Sequence, residues 1–296
     1  MWQQLKKDLV SSDVKALARC ISLVENEAEG YEEFMEQLPA GHAQVIGITG
    51  PPGAGKSTLT DALTSVLAVE EKKIAILCID PSSPFNLGAL LGDRIRMSRW
   101  FNHSNIFIRS LATRGSLGGL NAKIIEISEL VRAAGYDYII IETVGVGQSE
   151  VEIAGLADVT LVTMVPEAGD EVQTMKAGLM EIADIFVVNK ADRPGADTFV
   201  KNLRLMLAPS FSNHAREIPI IKTIATTGEG IPALTDAIKK LLSHPLANTK
   251  KQWLLAEKAW QLIVQKRMKG ISKQTLQEEI EKVSTDFNLY AFIKQF

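Results

Sequence analysis

The sequence predicts an α/β protein whose mostly parallel sheet is covered by helices on both faces. Short, near-continuous apolar runs alternate with stretches of helical periodicity between about residues 44 and 245, as is typical of strands buried on both faces. A glycine-rich stretch also separates the first apolar run from the first helical one. We therefore expect a ligand beyond the carboxyl ends of the strands.

The apolar runs predict seven strands with helices between most of them. The strand candidates are Val45–Thr49, Ile74–Ile79, Ile106–Ile108, Tyr138–Ile141, Val159–Val165, Ile185–Val188 and Ile218–Ile224. The helix candidates between and after them are Leu59–Val69, Leu120–Ala134, Asp170–Ile182, Asp197–Leu207 and Ile231–Leu242.

Helical patterns also precede and follow this region. Apolar spacing over residues 13–38 predicts two short helices before the first strand. After Pro245, residues 253–264 form an apolar helical face, and a second helix is expected near 275–283. Because an exposed apolar face needs a partner, we expect this segment to form a homodimer. The alternative, a helix folded onto its own domain, stays open.

These patterns divide the chain into three parts. The expected parts are a helical extension (1–42), an α/β domain (43–246) and a C-terminal helical dimerisation segment (247–296).

Composition limits the class of protein. The chain has 296 residues, 46% hydrophobic and 23% charged, as in ordinary globular proteins. A net charge of −3 argues against nucleic acid as the main partner. No signal peptide pattern and no run of 18 apolar residues is present, and the two cysteines form no C-x-x-C pair, so we expect a cytoplasmic protein without membrane contact.

The glycine-rich stretch has the pattern G-x-x-x-x-G-K-[ST] between a strand and a helix, the context of a phosphate loop. Gly50, Gly53 and Gly55 permit a backbone whose N–H groups face phosphates. Lys56 supplies a charge for the β- and γ-phosphates, and the Ser57 hydroxyl is suited to Mg²⁺. The nucleotide-binding residues expected here are Gly50, Pro51, Pro52, Gly53, Ala54, Gly55, Lys56, Ser57 and Thr58.

Carboxylates follow two of the strands. Asp80 and Glu142 end strands beside the phosphate loop, where a nucleotide's Mg²⁺ needs acidic groups. Ordinary helix N-caps are the alternative interpretation. Asp93 lies in a long connection with two glycines and clustered charge, which fits either a switch segment or a surface helix.

A base-reading motif follows the sixth strand. Asn189, Lys190 and Asp192 form N-K-x-D, in which a carboxylate accepts from the guanine N1–H and exocyclic amine, a donor pattern that adenine lacks. The sequence therefore favours GTP over ATP. The loop of Ile224, Ala225 and Thr226 follows the last strand and offers a backbone N–H for guanine O6.

Taken together, these motifs resemble the methylmalonyl-CoA mutase-associated GTPases of the MeaB/MMAA type. That family belongs to the SIMIBI class of P-loop GTPases and was formerly labelled arginine/ornithine transport kinases. The resemblance covers nearly the whole chain. It is carried by residues 16–25, 47–59, 79–83, 91–97 and 142–150.

The resemblance implies a dimeric, Mg²⁺-dependent GTPase that guards and gates adenosylcobalamin loading of an acyl-CoA mutase, with methylmalonyl-CoA mutase as the expected partner. By position, the implied catalytic residues are Lys56, Asp80, Asp93 and Glu142, and the implied metal residues are Ser57, Asp80, Asp93 and Glu142. Gln173 and Lys176 are implied to relay nucleotide state to the mutase, whereas a plain helix N-cap at Asp170 is the alternative. Gln148 is a candidate for orienting the attacking water by location alone.

Two patterns are absent from the sequence. No D-x-H-x-x-G pattern is present, so we expect that this chain alone binds no cobalamin. No C-x-x-C and no histidine-rich tract is present, which argues against the related nickel and zinc delivery GTPases.

One residue departs from the usual GTPase pattern. Many GTPases have Ser-Ala in the final base loop where this chain has Ile224-Ala225. We therefore expect only the backbone contact of Ala225 and a lower affinity for guanine.

Three other functions stay open at this point: a kinase or ATPase associated with amino-acid transport, a GTPase serving a different metalloenzyme, and a GTP-dependent scaffold that hydrolyses nothing.

Overall fold

The computed structural model describes residues 1–80, 97–113, 120–144, 149–168, 181–211, 217–244, 249–268, 270–282 and 287–295. Internal contacts divide the chain into two compact units, Met1–Lys251 and Gln252–Phe296. The first unit includes the N-terminal helices as well as the α/β region. The three-part division at residues 42 and 246 stays a prediction.

In the described residues, seven parallel strands form one sheet in the order β3-β2-β4-β1-β5-β6-β7. They are β1 (Gln44–Thr49), β2 (Ile74–Asp80), β3 (Ile106–Ala112), β4 (Tyr138–Glu142), β5 (Val159–Met164), β6 (Ile185–Val188) and β7 (Ile220–Lys222). All seven predicted strands are present. β7 begins later than predicted, since Pro219 has no N–H to donate to a ladder.

Eight α-helices lie entirely within the described part of the first unit. They are α1 (Trp2–Val10), α2 (Val14–Glu25), α3 (Tyr31–Glu36), α4 (Lys56–Val69), α5 (Ile124–Ala133), α6 (Ser149–Leu156), α7 (Ala196–Phe211) and α8 (Ile231–Ser243). Three helices therefore precede β1 where the sequence predicted two. α1 is mostly polar, and it buries only Leu5 and Leu9, which lie one turn apart. The predicted helix 170–182 lies almost wholly outside the described residues.

The C-terminal unit is helical in its described residues. Its elements are α9, which spans Thr249–Arg267 and so begins just before the unit, α10 (Lys273–Glu281) and α11 (Leu289–Ile293). Phe292 is the one buried hydrophobic side chain among the unit's described residues. Most of the unit's other large apolar side chains are exposed.

Every helix in the described part of the chain is too short or too polar to span a lipid bilayer.

The sheet is buried on both faces by apolar clusters. On one face, Leu59 and Leu63 of α4 and Leu234 of α8 pack against inward residues of the central strands. In another cluster, Phe199 and Leu203 of α7 pack with buried apolar residues of β5 and β6. α4, which follows the phosphate loop, is therefore fixed to the sheet by its apolar side.

Three aspartates join neighbouring strands at the amino edge of the sheet. Each directly precedes a strand, and each makes a reciprocal pair with one residue of the neighbouring chain segment. The aspartate N–H donates to that residue's carbonyl at 2.8–2.9 Å, and the carboxylate accepts that residue's N–H at 2.8 Å. The pairs are Asp137 with Lys73, Asp158 with Val45, and Asp184 with Thr160.

Candidate nucleotide-binding site

At two of its glycines, the phosphate loop lies too close to neighbouring residues to accommodate a side chain. Gly50 has φ +137°, and a Cβ there would lie 2.0 Å from the Thr163 carbonyl oxygen of β5. Gly55 has φ +86°, and a Cβ there would lie 2.4 Å from Asn189 Nδ2. Glycine is required at both positions because the backbone angle and the space each exclude a side chain. The loop is thus held against β5 and the N-K-x-D loop.

Lys56 is the first residue of α4, and its side chain is only 7% exposed. The ammonium group donates to the carbonyl oxygens of Gly50 at 2.8 Å and Pro51 at 3.1 Å. The loop therefore holds the lysine charge close to its own backbone, beside the positive end of the α4 dipole. Together they form an electropositive site suited to phosphates.

Asp80 and Glu142 end neighbouring strands, and both are buried, at 3% and 6% exposure. Cys78 pairs with Glu142 in the β2–β4 ladder. Since side chains alternate along a strand, Asp80 shares the face of Cys78, the face on which α4 packs. The prediction that these carboxylates end strands next to the phosphate loop agrees with this geometry.

A direct hydrogen bond joins Ser57 to Glu142. The Ser57 hydroxyl donates to Glu142 Oε1 at 2.6 Å. A hydroxyl that gives its proton to a carboxylate keeps its oxygen lone pairs for a cation.

The residues fit Mg²⁺ held jointly with a nucleotide. The described residues contain no group of three His, Cys, Asp or Glu side chains arranged to hold a metal ion. Mg²⁺ does not need such a group, because it is usually bound by one or two carboxylates and substrate phosphates. A serine hydroxyl and buried carboxylates are hard oxygen donors of the required kind.

A pocket lies beside the loop on the side of the N-K-x-D motif. Its lining residues are Gly55, Thr58, Asn189, Lys190, Asp192, Arg193, Ile224, Ala225 and Thr226. The phosphate loop, the N-K-x-D loop and the loop after β7 therefore converge on one cavity, as the sequence predicted from motifs that lie far apart in the chain.

Asn189 joins these three loops. Its Nδ2 donates to the Ala54 carbonyl at 3.0 Å, and its Oδ1 accepts from the Thr223 hydroxyl at 3.2 Å and the Ala225 N–H at 3.1 Å. The side chain is 2% exposed, so its bonds are made away from solvent. Thr223 was not singled out in the sequence, although it directly precedes the predicted loop.

Lys190 and Asp192 face the pocket differently. Lys190 has φ +56°, an unusual left-handed backbone for a residue with a side chain, and its ammonium donates to the Gly53 carbonyl at 2.8 Å. Asp192 is exposed and lines the pocket. Its carboxylate can therefore meet a base that enters from solvent.

The loop after β7 is a tight turn. The Ile224 N–H donates to the Glu229 carbonyl, and the Ile224 carbonyl accepts from the N–H groups of Thr227 and Gly228. The Ala225 N–H, expected to reach guanine O6, donates to Asn189 Oδ1 here. Its contact with a base stays a prediction.

Arg193 was missed by sequence reasoning. It follows Asp192, lines the pocket, and pairs with Glu167 at 2.6 Å between Nη1 and Oε1. The hydrogen bond from Arg193 holds the pKa of Glu167 below its ordinary value. Both side chains are about half exposed, so the pair is a link between segments rather than a large contribution to stability.

Asp93, Gln148, Gln173 and Lys176 lie outside the described residues.

A parallel sheet whose first strand enters a phosphate loop, and whose sixth enters an N-K-x-D loop that lines the same pocket, is typical of a P-loop GTPase. The chain matches the family model for "Methylmalonyl Co-A mutase-associated GTPase MeaB" over residues 17–280. The protein belongs to this family and is a GTPase, which confirms the resemblance seen in the sequence.

Relatives and solved structures agree with the assignment. A protein of Pyrococcus abyssi, provisionally named a GTPase, is 48% identical over 246 residues, which cover 81% of this chain and 76% of that protein. The fused isobutyryl-CoA mutase of Geobacillus kaustophilus is 39% identical over 253 residues, covering 78% of this chain and 23% of that protein. The crystal structure of an LAO/AO transport system kinase has a TM-score of 0.69 at 24% identity, covering 99% of this chain and 95% of that one. This last likeness shows the fold.

Proposed function

We propose that this GTPase couples its nucleotide state to adenosylcobalamin loading and protection of an acyl-CoA mutase, with methylmalonyl-CoA mutase as the client. The supporting observation is that a relative 39% identical over 253 residues is part of a fused isobutyryl-CoA mutase. The segment of that protein that resembles this chain is joined covalently to a mutase. A separate chain of the same family would reach its mutase by binding.

The site supplies the residues for hydrolysis of GTP to GDP and phosphate. Lys56 and the start of α4 bind the β- and γ-phosphates, and Asp192 accepts from the guanine edge. Ser57, with Asp80 and Glu142 behind it and Asp93 as a further proposed acid, would hold Mg²⁺, which neutralises charge on the β- and γ-oxygens. The GTPase assignment also excludes the scaffold that hydrolyses nothing.

The signal to the mutase is proposed to pass through residues 165–176, with Gln173 and Lys176 as the relay. The ion pair between Arg193 and Glu167 supports this route. It connects the base-reading loop to the first part of that stretch. The base pocket is thus in direct electrostatic contact with the proposed relay segment, so a change in the pocket can act on that segment.

The test measures phosphate release from GTP and ATP, with and without an adenosylcobalamin-dependent acyl-CoA mutase from the same source. We expect slow GTP hydrolysis that the mutase accelerates, and we expect Lys176→Ala to keep the basal rate and lose the acceleration. Lys201→Ala, which removes an exposed lysine on α7, is the matched control and should respond like wild type.

Each other outcome has a defined meaning. GTP hydrolysis indifferent to the mutase would contradict the proposed partner while keeping the GTPase. Preference for ATP would favour the kinase alternative over guanine recognition. Equal loss of acceleration in both lysine variants would contradict the relay.

We also propose that the C-terminal unit forms a homodimer. Trp253 and Trp260 of α9 are 63% and 64% exposed, and Ile263 and Val264 lie on the same helix at 49% and 40%. Aromatic residues are enriched in interface cores, and a second copy would cover a self-complementary apolar face. Cys20 and Cys78 are both buried and are not joined by a disulfide, which fits a reducing compartment, and we propose the cytoplasm.

Trp260→Glu is expected to weaken the dimer about 30-fold or more, because a charge would replace a central aromatic contact. Sedimentation equilibrium measures the change. Val69→Glu, which places the same charge at an 84% exposed apolar position of α4, is the control and should remain dimeric. A monomeric wild type, or equal effects of both variants, would contradict the proposed interface.

A further inference from the structure

Glu142 accepts hydrogen bonds from two residues of the same helix. The Ser57 hydroxyl lies 2.6 Å from Oε1, and the Thr60 hydroxyl lies 3.0 Å from Oε2. Ser57 and Thr60 are three positions apart on α4, so they share a face. All three side chains are buried, with Thr60 fully enclosed. The carboxylate is therefore held at both oxygens by one helix.

Thr60 has a second possible acceptor, since its hydroxyl is also 3.0 Å from the Lys56 carbonyl. One turn later, Thr64 shows the ordinary arrangement, in which the hydroxyl donates to the carbonyl four residues before it at 2.7 Å. A hydroxyl proton shared between an amide carbonyl and a carboxylate favours the carboxylate, because charge-assisted hydrogen bonds are stronger.

We propose that Thr60 is a positioning residue for the Mg²⁺ site and acts through Glu142. The proposal rests on the Mg²⁺-dependent nucleotide binding proposed above. By fixing Oε2, Thr60 prevents rotation of the carboxylate and keeps Oε1 on the Ser57 hydroxyl. The Ser57 proton then points to Glu142, and the serine lone pairs stay directed towards the cation.

Loss of the Thr60 hydroxyl is expected to weaken metal binding. Without the second hydrogen bond, the Glu142 carboxylate is held less firmly against Ser57, and the serine hydroxyl can more readily point its proton towards the cation site. Residues that orient a metal ligand typically change metal affinity about 10- to 100-fold when removed. The Thr60 hydroxyl meets the phosphate loop at the backbone carbonyl of Lys56, which is not a group assigned to phosphate or base, so nucleotide contacts made without metal should be kept.

The experiment is a calorimetric titration of GDP at a series of free Mg²⁺ concentrations and in EDTA. Thr60→Val, which keeps the side-chain shape and removes the hydroxyl, is expected to raise the Mg²⁺ midpoint about 10-fold or more. GDP affinity in EDTA should equal that of wild type, which shows that the variant is folded. Thr60→Ser, which restores the hydroxyl, should return the midpoint towards the wild-type value.

Thr64→Val is the matched control, because it removes an equally buried threonine hydroxyl from the same helix without touching Glu142. It should keep the wild-type midpoint. An unchanged midpoint in Thr60→Val, or an equal shift in Thr64→Val, would overturn the positioning role alone. A wild type whose GDP binding ignores Mg²⁺ would overturn both this inference and the Mg²⁺ part of the proposed function.

Discussion

Lys56→Ala is expected to reduce GTP hydrolysis at least about 100-fold, the usual effect of removing one preorganised group that stabilises transition-state charge. The Lys56 ammonium is within 3.1 Å of two loop carbonyls and is nearly buried. A water molecule that fills the space left by the side chain brings no positive charge to the start of α4. Phosphate release under saturating GTP measures the effect.

A charge-matched control separates this role from a general loss of positive charge. Lys15→Ala removes an exposed lysine of α2 and should hydrolyse GTP at the wild-type rate. The melting temperature of each variant, measured without nucleotide, tests for unfolding. If Lys56→Ala folds and still turns over normally, the phosphate-loop assignment is wrong.

Asp192→Asn is expected to change base preference from GTP to XTP. The carboxylate is proposed to accept from two donors of guanine, and each charge-assisted hydrogen bond contributes about 1.5–3 kcal/mol. GTP affinity should therefore fall about 100-fold or more, whereas the new amide can donate to the xanthine 2-oxo group. Competition between GTP and XTP for the purified variant measures the change.

Asp197→Asn is the control for the same chemical change nearby. Asp197 lies on α7, with its carboxylate 2.8 Å from Lys222 Nζ, and it should keep the GTP preference of wild type. Retained GTP selectivity in Asp192→Asn would mean that the base is recognised by other groups.

The sequence predicted those parts of the site that short motifs encode. The phosphate loop, the strand-end carboxylates and the N-K-x-D loop each combine residue type with position in a predicted element. Because parallel strands place their carboxyl ends at one edge, motifs far apart in the chain could be assigned to one pocket.

Contacts between distant segments could not be read from the sequence. Thr60 and Thr223 are ordinary residues of a helix and a strand end, and only the three-dimensional arrangement brings them to Glu142 and Asn189. α1 was missed because its apolar positions are few. Arg193 carried a weak signal, its place next to Asp192, but its pairing with Glu167 depends on how β5 and β6 lie side by side.

The aspartate pairs at the amino edge have a consequence for chemistry at the opposite edge. β4 presents isoleucine to both faces of the sheet, so hydrophobic burial alone would tolerate a slip of one residue along its neighbours. Such a slip would turn Glu142 away from α4. The reciprocal hydrogen bonds between Asp137 and Lys73 fix the register of β4 and so exclude this slip. This pair lies about 16 Å from the carboxylate, at roughly 3.3 Å per residue, and it thereby sets the side of the sheet on which Glu142 lies.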